Sequence, residues 1–304
     1  DVTGAPTNTR FMLPYRSRLL TVSANFPSSI GWPNLDYSDT PTSWPPELIR
    51  VGNQGDITSL SIFSETRDSE GTRARVLVTK STSIHLFSAL DFNIPPLTVE
   101  NGARLEEVSL TVGTISPKTI VNTPIGVIFL GSDRQVYLLT YDETKLIPIG
   151  NRLRSLPISD NGVDSMTEDN LKNSSATFHD GFYKLSAHIK HHKYQYWLDT
   201  EDPNYSWFGP MVGRNTISML GLSVGTLLIG DSDNNIYIET GTTDAGSNIT
   251  MTYQSPFSYY TPEETDSEIL ESEYVTTASI TSVAVDIVDT QVHVEMVNST
   301  INNE

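Results

Sequence analysis

The feature that most constrains the fold of this chain is a loose repeat of strand-rich segments. In five places a short apolar run meets a polar turn and then a second run that ends in aromatic or aliphatic residues: 18–24, 75–87, 126–138, 182–197 and 226–238. If the equivalent positions are Leu19, Val76, Val127, Tyr183 and Leu227, the repeat recurs at steps of 57, 51, 56 and 44 residues. Recurrence of hairpins at such intervals is typical of β-propeller blades.

Helical periodicity is scarce in the chain, whereas strand signals occur throughout. Runs rich in Val, Ile, Thr, Tyr and Phe are bounded by Gly, Pro, Asn and Asp, and the best helix candidate, 164–172, is short and polar. We therefore predict an all-β chain with a β-propeller of about five or six blades in residues 1–247 and a small C-terminal β appendage in residues 248–304. Because the chain starts at Asp1 and stops soon after a strand-like run, we expect it to continue beyond both ends.

The strand runs also predict individual units. Residues 57–63 pair with residues 75–90 in the second unit, the third unit runs over 105–149, and Trp207 closes the fourth unit. Residues 151–177 are polar and rich in turn formers, which predicts a surface excursion. The appendage is predicted to contain strands at 249–253, 278–286 and 291–297.

Residues 25–47 form a proline-rich segment that carries Trp32 and Trp44. Proline lacks the backbone donor that a central strand needs, so this segment is predicted to be a loop. Long loops in compact domains are frequently functional, and we predict a protein interface at Trp32, Trp44, Pro45 and Pro46. The alternative is that both tryptophans pack against the side of the propeller. An interface predicts that Ala at Trp32 or Trp44 weakens assembly without unfolding the monomer.

The charge balance bears on the class of partner. The 304-residue chain carries 37 acidic and 19 basic residues, a formal net charge of −18, and no Lys/Arg cluster. Binding a nucleic-acid backbone needs cations that displace counterions, so a DNA-gripping role is disfavoured. Acidic walls suit a channel through which DNA slides without sticking, and acidic residues also serve simply for solubility. The chain has no cysteine, hence neither disulfides nor thiolate metal sites, and no apolar stretch of membrane-spanning length.

Two segments contain residue types that bind metals. His188, His191 and His192 lie close together in sequence, but neighbours at a hairpin tip point to opposite faces, and no nearby carboxylate completes a tetrahedral set. The segment 231–235 resembles the start of a calcium loop, yet Ile236 stands where the EF-hand pattern has Gly, and a tight hairpin turn explains the same residues. Its counterpart in another unit is 132–135. We predict no metal site and no cofactor.

No sequence motif argues positively for catalysis. The chain has no nucleophile elbow, no P-loop and no dinucleotide-binding glycine pattern. The presence of a carboxylate pair for glycoside cleavage stays an open alternative, because the distance between such carboxylates is set by tertiary structure. We predict that the chain is not an enzyme and has no catalytic residues. A group of aromatic residues could stack on sugars, but its spacing predicts blade core: Tyr194, Tyr196, Trp197, Tyr205, Trp207 and Phe208.

Several sequence segments, taken in order, resemble those of the propeller hub and nozzle proteins of tailed-bacteriophage tails. They are 18–24, Leu35-Asp-Tyr-Ser-Asp-Thr-Pro-Thr-Ser-Trp44, 55–62, 76–87, 126–137, 231–237 and 244–256. The resemblance covers residues 10–260 and rests on the order and the residue pattern of these segments.

The resemblance implies a structural virion protein of the tail, in a hub or nozzle ring below the portal and adaptor, that forms part of the DNA ejection channel. It implies copies of itself in a ring, expected to be a hexamer, and contacts with the portal, adaptor and other tail proteins. It also implies passage of genomic DNA without specific binding and no membrane insertion by this chain. Propellers of this family are often six-bladed or larger, so the chain is expected to lack N-terminal strands, which a cleaved or separate segment supplies.

Two other functions stay open. A carbohydrate-binding or glycan-cleaving propeller of a host-adhesion device predicts exposed aromatics and two facing carboxylates on one propeller mouth. A generic protein-interaction propeller differs from a tail protein only in the identity of its partner.

Overall fold

The structure is a computed structural model. It describes residues 6, 8–15, 18–35, 41–43, 49–52, 54–63, 67–68, 71–72, 75–89, 103–154, 166–189, 192–212, 216–223, 226–239, 243–244, 247–248, 276–288 and 291–303. The chain divides into two compact units, Asp1–Gly246 and Ser247–Glu304, whereas the predicted boundary lies one residue later.

Nearly all regular structure in the described residues is β-strand, so the chain is all-β, as predicted. The first unit contains β1 (Thr9–Tyr15), β2 (Arg18–Ser23), β3 (Ser29–Ile30), β4 (Asn34–Leu35), β5 (Pro41–Ser43), β6 (Ile49–Arg50), β7 (Ile57–Phe63), β8 (Arg67–Asp68), β9 (Gly71–Thr72), β10 (Arg75–Lys80), β11 (Ile84–Ala89), β12 (Ala103–Ser109), β13 (Val121–Thr123), β14 (Gly126–Leu130), β15 (Val136–Thr140), β16 (Leu146–Pro148), β17 (Ser175–His179), β18 (Phe182–Ile189), β19 (His192–Asp199), β20 (Trp207–Val212), β21 (Thr216–Ser223), β22 (Thr226–Asp231), β23 (Ile236–Glu239) and β24 (Thr243–Asp244). The second unit contains β25 (Ser247–Asn248), β26 (Thr276–Val288) and β27 (Gln291–Asn303).

Five main sheets follow one another along the first unit. The first sheet is β1 and β2, and the second is β7, β10, β11 and β12. The third sheet is β13 to β16, the fourth is β17 to β20, and the fifth is β21 to β23. Within each of these sheets every strand is antiparallel to its neighbour. Each sheet is therefore a meander built from one local stretch of chain.

The third sheet is buried on both faces. Every residue of β14 is buried, which explains why its sequence is a continuous apolar run rather than an alternating one. Its Phe129 belongs to a cluster that includes Leu77 of the second sheet. Its Ile128 belongs to a different cluster, with Tyr183 and Leu185 of the fourth sheet. Successive side chains of one strand thus join the sheet to both of its neighbours.

The same division holds in the second sheet, and each main sheet of the first unit contacts the next one in chain order. On β10, Val76 and Val78 pack in a cluster with Tyr15 and Leu20 of the first sheet. At the other end, β21 contacts β17, and a Cβ on Gly221 would lie 2.9 Å from the Phe178 carbonyl oxygen. We call this series of five sheets the stack.

The two sheets at the ends of the stack are buried on one face only. In β22, Leu227 and Ile229 are buried while Leu228 between them is partly exposed. In β1, exposed residues such as Met12 alternate with partly buried ones such as Leu13. Alternation of this kind is expected of a sheet with one covered face.

Two short α-helices lie between the third and fourth sheets. The sequence patterns do not predict α1 (Asn151–Arg154), and α2 (Glu168–Asn173) begins later than the candidate 164–172. The reason is a capping box, in which the Asn170 N–H donates to Thr167 Oγ1 (3.2 Å) and the Thr167 N–H donates to Asn170 Oδ1 (3.1 Å). No helix in the described part of the chain has the length and apolar character needed to cross a bilayer.

Most predicted strand units are confirmed, but the third begins too early. The second unit pairs β7 with β10, and Trp207 starts the last strand of the fourth sheet, as predicted. β12, however, pairs with β11 through Phe87 and Leu105, so it belongs to the second sheet. β11 ends at Ala89 and β12 begins at Ala103, so no short turn joins them. β12 is closer along the chain to the following strands, which is why the sequence predicts it as part of the third unit. The excursion predicted over 151–177 likewise ends before β17.

The second unit contains a long antiparallel hairpin. β26 and β27 pair from Thr276 and Asn303 to Val288 and Gln291. The predicted strands at 278–286 and 291–297 are therefore confirmed and extend further, whereas the predicted strand at 249–253 lies outside the described residues.

Candidate functional site

The predicted interface contains one residue that the structure describes and three that it does not. Trp32 is 6% exposed, its ring centroid lies 6.0 Å from that of Phe87, and it belongs to the cluster between the first and second sheets. Trp32 therefore packs in the core, the alternative considered above. Trp44, Pro45 and Pro46 lie outside the described residues, and an interface at this loop stays a prediction.

His188 and His192 lie in the two strands of the β18–β19 hairpin, as predicted, whereas His191 lies outside the described residues. β18 ends at Ile189, which pairs with His192 at the start of β19, and His188 pairs with Lys193. The side chains of His188, His191 and His192 are not among those that the structure describes. Within the described residues, no three His, Cys, Asp or Glu side chains converge as a metal site would require.

The calcium-like segment 231–235 is a hairpin turn, which confirms the prediction. Asp231 Oδ1 accepts hydrogen bonds from the N–H groups of Asp233 and Asn235, both at 2.9 Å, and Asn234 has a φ of 64°. Asn tolerates this left-handed conformation better than most residues. The backbone donor of Asn235 is the main reason that the pKa of Asp231 is lowered.

The counterpart turn at 132–135 has the same construction. Asp133 Oδ1 accepts from the Gln135 N–H at 3.2 Å, and Arg134 has a φ of 68°. The Tyr137 hydroxyl donates to the other oxygen of Asp133 at 2.6 Å. Both acidic segments are thus explained by the backbone geometry of their hairpins.

A buried cation at the end of β10 is a feature that the sequence analysis missed. Lys80 is 1% exposed, and its Nζ donates to the Gln54 carbonyl oxygen at 3.0 Å. Burial, followed by the charge of Arg50, lowers the pKa of Lys80, while Asp56 acts in the opposite direction. The available signal was a lysine that closes a strand with three consecutive apolar residues, 76–78, at its centre.

His85 lies beside Lys80 on the neighbouring strand β11. It is 2% exposed, and its Nε2 lies 3.2 Å from Ser83 Oγ. Burial, and then the charge of Lys80, lower the pKa of His85, while Glu107 raises it. The imidazole is therefore neutral at pH 7.

Gly52 completes this group, and we call Gly52, Lys80 and His85 the Lys–His cluster. Gly52 has a φ of 57°, and a Cβ there would lie 2.9 Å from His85 Nε2. The segment that follows is held to the sheet by Lys80, and its Asp56 accepts from Arg10 at 2.7 Å. Because the amine and the imidazole are both buried, the Lys–His cluster fastens a loop to the second sheet rather than presenting a reactive group to solvent.

An aromatic group lies on the face of the fourth sheet that carries Lys184. The ring centroid of Phe182 lies 6.0 Å from that of Trp197 and 6.1 Å from that of Phe208, and Lys184 Nζ lies 4.1 Å from the Trp197 centroid. Phe208 is 51% exposed, so the prediction that it is a core residue is wrong, and one edge of this aromatic group reaches solvent.

Other aromatics of the sequence analysis pack in the core between sheets. Tyr196 is fully buried, and the Trp207 ring packs edge-on against Tyr183 with centroids 6.2 Å apart. Trp207 Nε1 donates to the Ile149 carbonyl oxygen at 2.8 Å, which ties the fourth sheet to the third.

Comparisons with known proteins give structural neighbours at low identity. No protein-family model and no curated protein matches the sequence. A candidate 6-phosphogluconolactonase of Bacteroides fragilis matches 80% of this chain and 68% of its own, at 13% identity and a TM-score of 0.44. A second candidate 6-phosphogluconolactonase, from Bacteroides uniformis, matches 80% of this chain and 69% of its own, at 11% identity and a TM-score of 0.46. The CNH domain of AfRom2 matches 82% of this chain and 74% of its own, at 11% identity and a TM-score of 0.40.

These neighbours correct one prediction. Two of them are candidate 6-phosphogluconolactonases, which contradicts the prediction that this chain is not an enzyme, and we withdraw that prediction. At 11–13% identity and TM-scores below 0.5, the similarity transfers no activity, substrate or site residue to this chain.

Proposed function

We propose that the first unit is a β-propeller of about five or six blades that is open between its first and fifth sheets, and that the chain is a structural protein of a bacteriophage tail. The observation that carries the proposal is the stack, because antiparallel meanders that follow one another in chain order are the building units of propellers. The order of sequence segments over residues 10–260 supports a hub or nozzle ring below the portal and adaptor.

The charge of the chain supports a role in the DNA ejection channel. A net charge of −18 gives a surface that repels the DNA backbone, so genomic DNA passes without specific binding. Copies of the chain form the ring, expected to be a hexamer, and the portal, the adaptor and other tail proteins are its partners in the virion.

Labelling of virions tests this function. We expect an antibody raised against the chain to bind at the tail of phage particles whose genome encodes it, in electron micrographs of intact virions. Deletion of the gene is expected to leave filled capsids without a complete tail. Normal tails in the deletion mutant, or label on a different structure, would overturn the proposal.

A second candidate function is glycan binding, and the aromatic group on the fourth sheet favours it. Phe208 is half exposed beside Phe182 and Trp197, and partly exposed rings are the surfaces on which sugars stack. In a glycan-array experiment, Phe208→Ala is expected to abolish any binding that Phe26→Ala retains, since Phe26 is similarly exposed at 57%. The absence of binding by the unmodified chain would exclude this candidate.

A further inference from the structure

The fifth sheet has an uncovered apolar face at the end of the stack. Leu220 pairs with Leu228, and Leu228 pairs with Ile238, so the three side chains lie in one row on the same face. Leu220, Leu222, Ile236 and Ile238 are 55%, 58%, 76% and 59% exposed, respectively. We call this the fifth-sheet face; its paired residues are Ser218, Leu220, Thr226, Leu228, Gly230, Ile236 and Ile238, and Leu222 lies beside them in the β-bulge between Gly221 and Ser223.

The first sheet has a smaller uncovered face at the opposite end of the stack. Met12 is 64% exposed and Leu19 is 37% exposed, and Pro14 pairs with Leu19. We call Arg10, Met12, Pro14 and Leu19 the first-sheet face. Nine large apolar side chains of the described residues are exposed, and six of them lie on these two faces: Met12, Leu19, Leu220, Leu222, Ile236 and Ile238.

The interior of the stack shows what covers such a face. Phe129 of the third sheet belongs to one cluster with Leu77 and Leu86 of the second sheet, so an apolar sheet face packs on the apolar face of another sheet. Contiguous exposed apolar patches mark interaction sites, and the complement seen in this molecule is a sheet of its own kind.

Charge favours these faces as the place where two copies can meet. The chain has a net charge of −18, so copies repel each other over most of their surface. The fifth-sheet face contains no ionisable residue, and the one charged residue of the first-sheet face, Arg10, is paired with the Asp56 carboxylate at 2.7 Å. Contact between these faces therefore brings no unpaired carboxylate of one copy against the other.

We propose that a second copy of this chain covers the fifth-sheet face with its own first-sheet face. The two surfaces differ, so the contact is head-to-tail, and repetition of a head-to-tail contact gives a closed ring or a filament. The inference names the surfaces that join the copies; the ring form rests on the proposed function, whereas the contact itself does not.

The test is the mass in solution of the complete chain, measured by light scattering over a wide range of concentrations. The unmodified chain is expected to self-associate. Ile238→Glu and Met12→Lys each place a charge on one of the two faces, and each is expected to weaken association by about tenfold or more. Leu110→Glu is the matched control, because Leu110 is 61% exposed but lies on neither face, and it is expected to associate normally.

Mixing the two variants makes the test specific for a head-to-tail contact. Met12→Lys chains retain an intact fifth-sheet face, and Ile238→Glu chains retain an intact first-sheet face, so the mixture is expected to form dimers that neither variant forms alone. A far-ultraviolet spectrum and unfolding midpoint like those of the unmodified chain show that each variant is folded.

Several outcomes would overturn the inference. A monomer at every concentration excludes a second copy and leaves another protein or another part of this chain as the occupant. Loss of association with Ile238→Glu but not with Met12→Lys indicates a two-fold contact between two fifth-sheet faces. If Leu110→Glu also loses association, any added negative charge prevents it, and the association is not specific to the two faces. If the copies associate as proposed but antibody does not label phage tails, the contact stands and the proposed function falls.

Discussion

At position 52 the backbone turns, with a φ of 57°, directly over the imidazole of His85. Gly52→Ala would place a methyl group 2.9 Å from Nε2 in a conformation that alanine rarely adopts, and we expect a loss of about 2–3 kcal/mol in the free energy of unfolding. Gly55→Ala is the control, because its φ is 78° but its nearest neighbour, Ser81 Oγ, is 3.9 Å away; we expect about 1 kcal/mol. Urea denaturation measures both, and equal losses would show that the contact with His85 is unimportant.

His85 gives the stability a defined dependence on pH. Its pKa in the folded chain lies below the ordinary value of 6.5, because burial and Lys80 oppose protonation more than Glu107 favours it. The unfolded chain therefore takes up the proton first as the pH falls through about 6.5, so this contribution is present above that pH and is lost below it. We expect the stability difference between the unmodified chain and His85→Gln to shrink from about pH 7 to about pH 5. A difference that grows on acidification would contradict the assignment.

Trp32 tests the two interpretations of the proline-rich loop. At 6% exposure and in contact with Phe87, its replacement by Ala is expected to cost about 3–5 kcal/mol of unfolding free energy, through lost burial and a cavity. The measurement is the denaturation midpoint of the monomer at low concentration. An unchanged midpoint with weaker assembly would restore Trp32 as an interface residue.

Residue environments were the part that the sequence could predict least. Lysine is almost always solvated, so the apolar residues that precede Lys80 in β10 were too weak a signal to predict its burial and its hydrogen bond to Gln54. The two tryptophans of the loop were equally compatible with core and surface, because a loop has no periodicity that assigns its faces. The acidic turn at Asp231 was predictable, since its hydrogen bonds are formed with residues two and four positions on.

At the scale of elements, strand positions were predictable because apolar runs bounded by turn formers mark them. β14 is a continuous apolar run, as expected of a strand that is packed on both faces. β22 also carries a continuous apolar run, 227–229, although only one of its faces is buried, so its exposed face could not be predicted from composition. Pairing was predictable only where a short turn joins the strands. β12 was assigned to the wrong unit because its partner β11 is not joined to it by such a turn.

Packing on both faces of a sheet also predicts at which positions shortening a side chain lowers the stability most. Leu138 of β15 is 1% exposed and lies in the cluster between the third and fourth sheets, so Leu138→Ala is expected to cost about 2–5 kcal/mol. Leu110→Ala removes the same atoms from a side chain that is 61% exposed, and we expect less than about 1 kcal/mol. Chemical denaturation of the two variants measures the difference; similar costs would mean that the sheets are not packed as described.

At the scale of the whole molecule, the two units are expected to differ in their importance for the stack. A chain ending at Gly246 keeps all five sheets, and we expect its first unit to unfold cooperatively. A chain ending at Val212 lacks the fifth sheet and uncovers the β17 edge on which Gly221 rests, so it is expected to be markedly less stable. Far-ultraviolet circular dichroism during urea denaturation follows both, and equal stability of the two would show that the fifth sheet contributes nothing to its neighbour.

The meander form of each sheet also has a consequence for synthesis on the ribosome. Strands of one sheet are close in sequence, so a sheet can pair as soon as its own stretch of chain has emerged, before later sheets exist. Each finished sheet then offers a template face to the next one, and maturation proceeds from the first sheet to the last. Besides the first-sheet face, the nascent chain exposes one unfinished apolar face at a time, which limits its opportunity to aggregate with other nascent chains during translation.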